Sequence, residues 1–167
     1  MKKIFWLAPL GALLAIQFIR PDMSNPPVDP AQDLAQVLQP PTEVQGILKD
    51  ACYDCHSNET KYPWYSQIAP VSWWLAGHIR EGREKLNFST IGALPAGDRA
   101  ESMSEAAEAV QEGEMPLNSY TWTHASARLS DAQRNLLVNW LNANGEGEAS
   151  PANGEAAESG HVHSEDD

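Results

Sequence analysis

The stretch Cys52-Tyr53-Asp54-Cys55-His56 decides how the chain is read. C-x-x-C-H is the attachment signature of c-type haem: two thiols three positions apart can form thioethers to two vinyl groups, and the next residue sets an imidazole under the iron. On a helical turn Cys52 and Cys55 point to the same side, and His56 follows closely enough to be the proximal ligand. These are the only two cysteines. Other chemistries of a cysteine pair fit less well. A thioredoxin-like C-x-x-C needs a strand leading into it, whereas the residues before Cys52 have helical spacing. A structural zinc site needs four ligands, and no second Cys/His pair stands at ligand spacing. A disulfide here would close a very short loop, stabilise little and be strained.

Working outward, Thr42-Glu43-Val44-Gln45 has capping-box form, and Val44, Ile47, Leu48 and Ala51 repeat at helical spacing. A helix is therefore expected to open at Thr42 and run into the motif. After His56, Ser57-Asn58-Glu59-Thr60 reads as a turn, followed by Tyr62-Pro63-Trp64-Tyr65 and Ile68-Ala69-Pro70. These aromatics could pack on a porphyrin face or on protein alone. A carbonyl of this loop is expected to take the Nδ1 proton of His56 and fix the ring. A second helix from Pro70 or Val71 sets Val71, Trp74, Leu75, His78 and Ile79 on one face. His78 is then either a core histidine bonded to backbone or to a haem propionate, or an alternative sixth iron ligand. Of Arg80, Arg83 and Lys85, which follow, one could pair with a propionate; solvated charges are the default.

Asp98–Glu112 reads as a third helix with Met103, Ala106, Ala107 and Val110 inward, ended by Gly113. Glu114-Met115-Pro116-Leu117 follows directly. A methionine in a loop, fixed by the next proline, can reach across a haem, so Met115 is the leading sixth-ligand candidate; Met103, on a helix face, is core filler. A polar and aromatic loop with Tyr120, Trp122 and His124 leads to Ser130-Asp131-Ala132-Gln133, a second capping-box sequence. It opens a last helix with Leu136, Leu137, Trp140 and Leu141 as its stripe and Gly145 as its stop. No strand of useful length is expected.

The chain has 167 residues, room for one domain, placed at 42–144. Residues 1–20 begin with Lys2 and Lys3 and continue in an apolar run from Ile4 to Ile19, a signal peptide or, favoured here, an uncleaved membrane anchor. Either places the remainder outside the cytoplasm, on the periplasmic side of a bacterial inner membrane, with the lysines inside. Residues 21–41, with Pro21, Pro26, Pro27, Pro30, Pro40 and Pro41, read as an extended spacer with at most a short helix near Gln32–Leu38. Residues 145–167 hold seven acidic groups and almost no large apolar ones, a composition that predicts a disordered acidic tail. His161 and His163 in it form an H-x-H that could bind a metal weakly or simply be solvated. Of the net charge of −12, the tail carries −7 and the first twenty residues +3, which leaves −8 on residues 21–144. Nucleic acid is thus an unfavourable partner. The acidity either steers a redox partner with a basic surface or serves solubility alone.

The arrangement resembles the class I cytochrome c fold, in which an N-terminal helix delivers C-x-x-C-H, a C-terminal helix packs across it and a loop methionine is the sixth ligand. More narrowly, Cys52 to Thr60, Tyr62-Pro-Trp-Tyr, Ile68-Ala-Pro-Val-Ser-Trp, Glu81-Gly82-Arg83, Leu86-Asn87-Phe88-Ser89 and Gly113-Glu-Met-Pro-Leu resemble the bacterial haem-binding domain family of cytochrome c-like proteins. The resemblance covers residues 25–142. It implies one covalent haem c on Cys52, Cys55 and His56, with Met115 at the family's loop-methionine position, and it implies no particular reaction.

The expectation is therefore an all-α, class I cytochrome c-like, exported monohaem protein that shuttles one electron. His56 and Met115 together would saturate the iron and raise its potential relative to two histidines. Two rivals are a peroxidase-like enzyme or haem subunit of an oxidoreductase, with His78 or His124 as distal acid/base, and a haem-based ligand sensor.

Overall fold

The computed structural model describes residues 4–145, and every regular element among them is helical: α1 (Ile4–Ala15), α2 (Leu34–Val37), α3 (Thr42–Ala51), α4 (Tyr53–His56), α5 (Val71–Lys85), α6 (Ala96–Gln111), α7 (Asn118–Thr121) and α8 (Asp131–Gly145), with short 3-10 turns between them. The acidic tail and the His161/His163 pair lie outside the described residues.

The core follows from the helical repeats. Val44, Ile47, Leu48 and Ala51 of α3 are buried, as are Met103, Ala107 and Val110 of α6 and Leu137, Val138 and Leu141 of α8. The α6–α8 pair is the most extensive packing in the molecule, and α3 lies against α8. Leu34, Leu48, Ile91, Met103 and Leu137 are almost fully enclosed, each contributing roughly 1.5–3 kcal/mol of burial. Ion pairs add little: among the described residues the one salt bridge, Arg80–Glu84 at 3.9 Å, is exposed on both sides.

The two capping sequences behave differently. At α8 the reciprocal box forms: Ser130 N–H donates to Gln133 Oε1 at 3.0 Å and Gln133 N–H to Ser130 Oγ at 3.3 Å. At α3 it does not. Pro41 is the N-cap and Thr42 is already helical, so the Thr42 hydroxyl caps nothing.

Residues 21–41 are not a free spacer. Leu34 is wholly buried, its N–H donates to Phe88 O at 2.9 Å, and Asp33 caps α2 by accepting from Ala35 N–H. Asn25 Nδ2 donates to Thr60 O at 3.0 Å, and Asn58 Nδ2 to Pro27 O at 3.1 Å. The prolines give the segment an extended path, and along that path it covers the loop after the motif.

Among the described residues the apolar N-terminus forms a short helix. Twelve residues of α1 rise about 18 Å, against a hydrocarbon core of about 30 Å. No helix among the described residues is long and apolar enough to cross a membrane. The end of this segment instead docks on the loop before α5. Gln17 Nε2 donates to Ala69 O at 3.1 Å, Ala69 N–H donates back to Gln17 Oε1 at 3.0 Å, and Trp73 Nε1 donates to Ile19 O at 2.7 Å.

Candidate functional site

Cys52 ends α3 with φ −127°, out of the helical range, and the chain restarts at once as α4. Cys55 N–H and His56 N–H both donate to Cys52 O, at 3.1 and 2.9 Å, so the five motif residues form one closed turn. Ser57 Oγ donates to Tyr53 O at 2.7 Å and Thr60 Oγ1 to Asp54 O at 2.6 Å, which closes the free end of α4. Arg83 reaches over from α5: its Nε donates to Ser57 O at 2.8 Å, and its Nη2 to Asn25 Oδ1 and Thr60 Oγ1, each at 2.9 Å. That guanidinium, offered by the sequence as a propionate partner, is committed to the motif turn. Arg80 sits on the surface against Glu84, and Lys85 lines the cavity described next.

Cys52, Cys55 and His56 open onto a cavity of ≈ 480 Å³ whose walls include Leu48, Leu86, Phe88, Val110, Leu137 and Leu141. A volume of this order suits a cofactor rather than a water or an ion. His56 Nδ1 donates to Leu86 O at 3.1 Å, and His56 O accepts from Phe88 N–H at 2.7 Å, so ring and backbone are both held and Nε2 is left for a ligand. The acceptor is the residue that caps α5, not the aromatic loop expected to supply it. Burial favours the neutral imidazole and lowers its pKa, the bonds to the Leu86 and Gly82 carbonyls opposing this. Both cysteines are free thiols. Burial pushes Cys52 up to about 12, with the charge of Cys55 adding to it. Cys55 rises to about 11, mainly by burial and then by Asp54, while Arg83 acts in the opposite direction.

Met115 lines the same cavity. Gly113 adopts φ 79°, a left-handed conformation that suits glycine, and turns the chain back so that Met115 N–H donates to Ala109 O at 3.0 Å. Arg134 of α8 donates to Val110 O and, at 3.4 Å, to Met115 O. The loop is thus held by its backbone, and the Met115 side chain packs against the core edge. Met103 is fully buried in that core, as its helix position predicts.

His78 also lines the cavity, with Nδ1 donating to Trp74 O at 3.0 Å and its ring 4.3 Å from that of Trp74. The apolar stripe expected around it is only half present: Ile79 is buried, but Val71 and Trp74 are exposed, because α5 turns Ser72 and Ile79 inward. His124 stays out of the cavity. It stacks on Tyr120 at 4.0 Å and lines a separate small groove with Tyr65, Trp74 and His78. Tyr62, Trp64 and Tyr65 are absent from the cavity wall, where Phe88 and Tyr120 stand instead. Tyr120 donates to Asp54 Oδ2 at 2.7 Å; burial raises its own pKa, and the bond to Asp54 raises it further.

The haem-binding domain family model matches residues 11–143. The chain belongs to the haem-binding domain family. No curated protein and no solved structure matches it.

The residues present fit the group that this haem-binding domain takes. An apolar cavity of cofactor size, a histidine fixed through Nδ1, and two unpaired thiols one helical turn apart meet at one wall. Among the described residues no cluster of three or more His, Cys, Asp or Glu offers an independent metal site. Three features of the site escaped the sequence: the Leu86 carbonyl, the Arg83 clasp and the close approach of Gly82 in α5 to the Cys55 backbone, whose oxygen would stand 2.8 Å from a Cβ at that glycine. The last left a signal, since glycine inside a helix is unfavourable unless something comes close to it.

Proposed function

We propose that Cys52 and Cys55 hold one haem c through thioethers, that His56 and Met115 ligate its iron, and that the protein carries single electrons outside the cytoplasm, at a membrane to which its apolar N-terminal segment attaches. The observation that carries this reading is the convergence of all four side chains on one apolar cavity. Bound there, the haem supplies a one-electron iron couple. The chain supplies the rest. Thioethers from Cys52 and Cys55 prevent loss of the group outside the cell. Leu86 O fixes the His56 ring and strengthens it as a ligand through its Nδ1 proton. Gly113 and Arg134 hold the Met115 loop in place. With His56 and Met115 as its ligands the iron would have a higher potential than with two histidines and no position left for a substrate, which favours electron transfer over catalysis.

The charge of −8 on residues 21–144 suits a partner with a basic surface, met at a rate that falls with salt. His78 supports a second reading, because it too lines the cavity: as distal ligand or acid/base it would suit a sensor or a peroxidase-like enzyme. His124 is the weaker candidate for that role, because it lines the neighbouring groove.

Denaturing mass spectrometry of the chain produced with cytochrome c maturation machinery tests the attachment. Haem mass retained on the unfolded wild type and absent from Cys52→Ala with Cys55→Ala supports it. Haem that dissociates from the unfolded wild type overturns it.

A further inference from the structure

Trp64 and Trp122 are 78 and 79% exposed, and Trp73 and Trp74 are exposed with them. Four of the six tryptophans therefore face outward, although such rings are among the largest apolar groups a core can bury. They are not scattered. Tyr65, next to Trp64 and edge-on to it, meets Thr123, next to Trp122, through their hydroxyls at 3.4 Å. Trp73 donates to Ile19 O, and the Gln17–Ala69 pair of bonds ties the same loop to the N-terminal segment. That segment exposes Leu13, Leu14, Phe18 and Ile19. The aromatic face and the apolar N-terminus thus form one continuous surface.

Its charge sets it apart. The chain has 23 acidic residues in 167, yet 61–80 and 115–130 contain none, and their charged groups are Lys61, Arg80 and Arg128. The remainder of an acidic protein is repelled by anionic lipid; this face is not. Tryptophan is also the residue that settles at the boundary of water and hydrocarbon, ring inward and N–H outward. The twelve described residues of α1 rise less than the thickness of a hydrocarbon core, so a second contact beside them would strengthen attachment.

We propose that this tryptophan face rests on the headgroup region of a lipid bilayer and is the second contact that holds the domain there. The inference rests on the reading that the N-terminal segment attaches to a membrane. Its consequence is an orientation. The small groove among Tyr65, Trp74, Thr123 and His124 shares Cys55, His78, Leu117 and Tyr120 with the haem cavity, so docking sets the Cys55 side of that cavity nearest the bilayer.

The test is hydroxyl-radical footprinting of the full-length holoprotein, with and without vesicles of phosphatidylethanolamine and a minority of phosphatidylglycerol, after flotation to confirm binding. Docking predicts several-fold protection of Trp64 and Trp122 on the vesicles, with the oxidation of Trp140, half-buried on α8, unchanged. Protein that floats while Trp64 and Trp122 oxidise as in solution overturns the docking and leaves attachment by the N-terminus standing; the face then belongs to a protein partner. Protein that does not float overturns both.

Discussion

Gly82 of α5 lies so close to the haem-motif turn that a Cβ on it would stand 2.8 Å from Cys55 O and 3.2 Å from Cys55 C. Both atoms are backbone, so nothing there can swing aside. This close approach lets α5 reach the motif, and the same helix delivers Arg83 and ends at Leu86, whose carbonyl orients His56. Gly82→Ala is expected to destabilise the fold by about 1–3 kcal/mol and to lower the yield of haem-loaded protein. Gly77→Ala, in the same helix with nothing within 4 Å of its Cβ, is expected to stabilise by up to about 1 kcal/mol. Urea midpoints of the pair check the assignment; equal shifts would contradict it.

Arg83 joins the motif turn to the proline-rich segment. Arg83→Met keeps the aliphatic stem and removes donors to Ser57 O, Thr60 Oγ1 and Asn25 Oδ1. Because Ser57 is completely buried, the loss is expected to be about 1–3 kcal/mol. Hydrogen exchange should rise in residues 22–28 as well as at Ser57–Thr60.

Leu34 tests whether residues 21–41 belong to the folded unit. Its side chain is fully enclosed, so Leu34→Ala should cost about 2–5 kcal/mol. A detached spacer would give no measurable change in the denaturation midpoint.

The thiols set a pH dependence for the chain made without haem. Folding raises Cys52 from 9.0 to about 12 and Cys55 to about 11, chiefly by burial. The unfolded chain gives up these protons first, so their contribution is complete below pH 9 and is lost as pH rises from there through the folded values. Urea midpoints of the haem-free chain should fall between about pH 9 and pH 11, and fall less in Cys52→Ala with Cys55→Ala.

Much of this was legible in the sequence, and the parts that were not share a cause. Helical repeats located α3, α6 and α8 because each buries a periodic stripe against its neighbours. Met115 could be placed at the cavity because a glycine, a proline and a helix end fix its loop locally. Contacts between distant segments carry no such local mark. Leu86 O meets His56 across thirty positions of sequence, and Asn25 meets Thr60 across thirty-five. The two readings of the aromatic loop could not be separated by composition, which suits a porphyrin face as well as protein; bonds from Ala69 and from Trp73 at the start of α5 to Gln17 and Ile19 hold this region against the N-terminal segment. The capping box at Thr42 failed locally, because Pro41 starts the helix one residue earlier.

The most direct test of electron carriage with His56 and Met115 as ligands is the absorption and magnetic circular dichroism spectrum of the full-length holoprotein beside Met115→Ala and His78→Ala. The predicted result is a low-spin wild type with a methionine-to-iron charge-transfer band when oxidised, unchanged in His78→Ala, and a Met115→Ala protein that turns high-spin and binds carbon monoxide when reduced. A wild type that is already high-spin, or one that loses its sixth ligand with His78→Ala, would contradict it and turn attention to catalysis or ligand sensing.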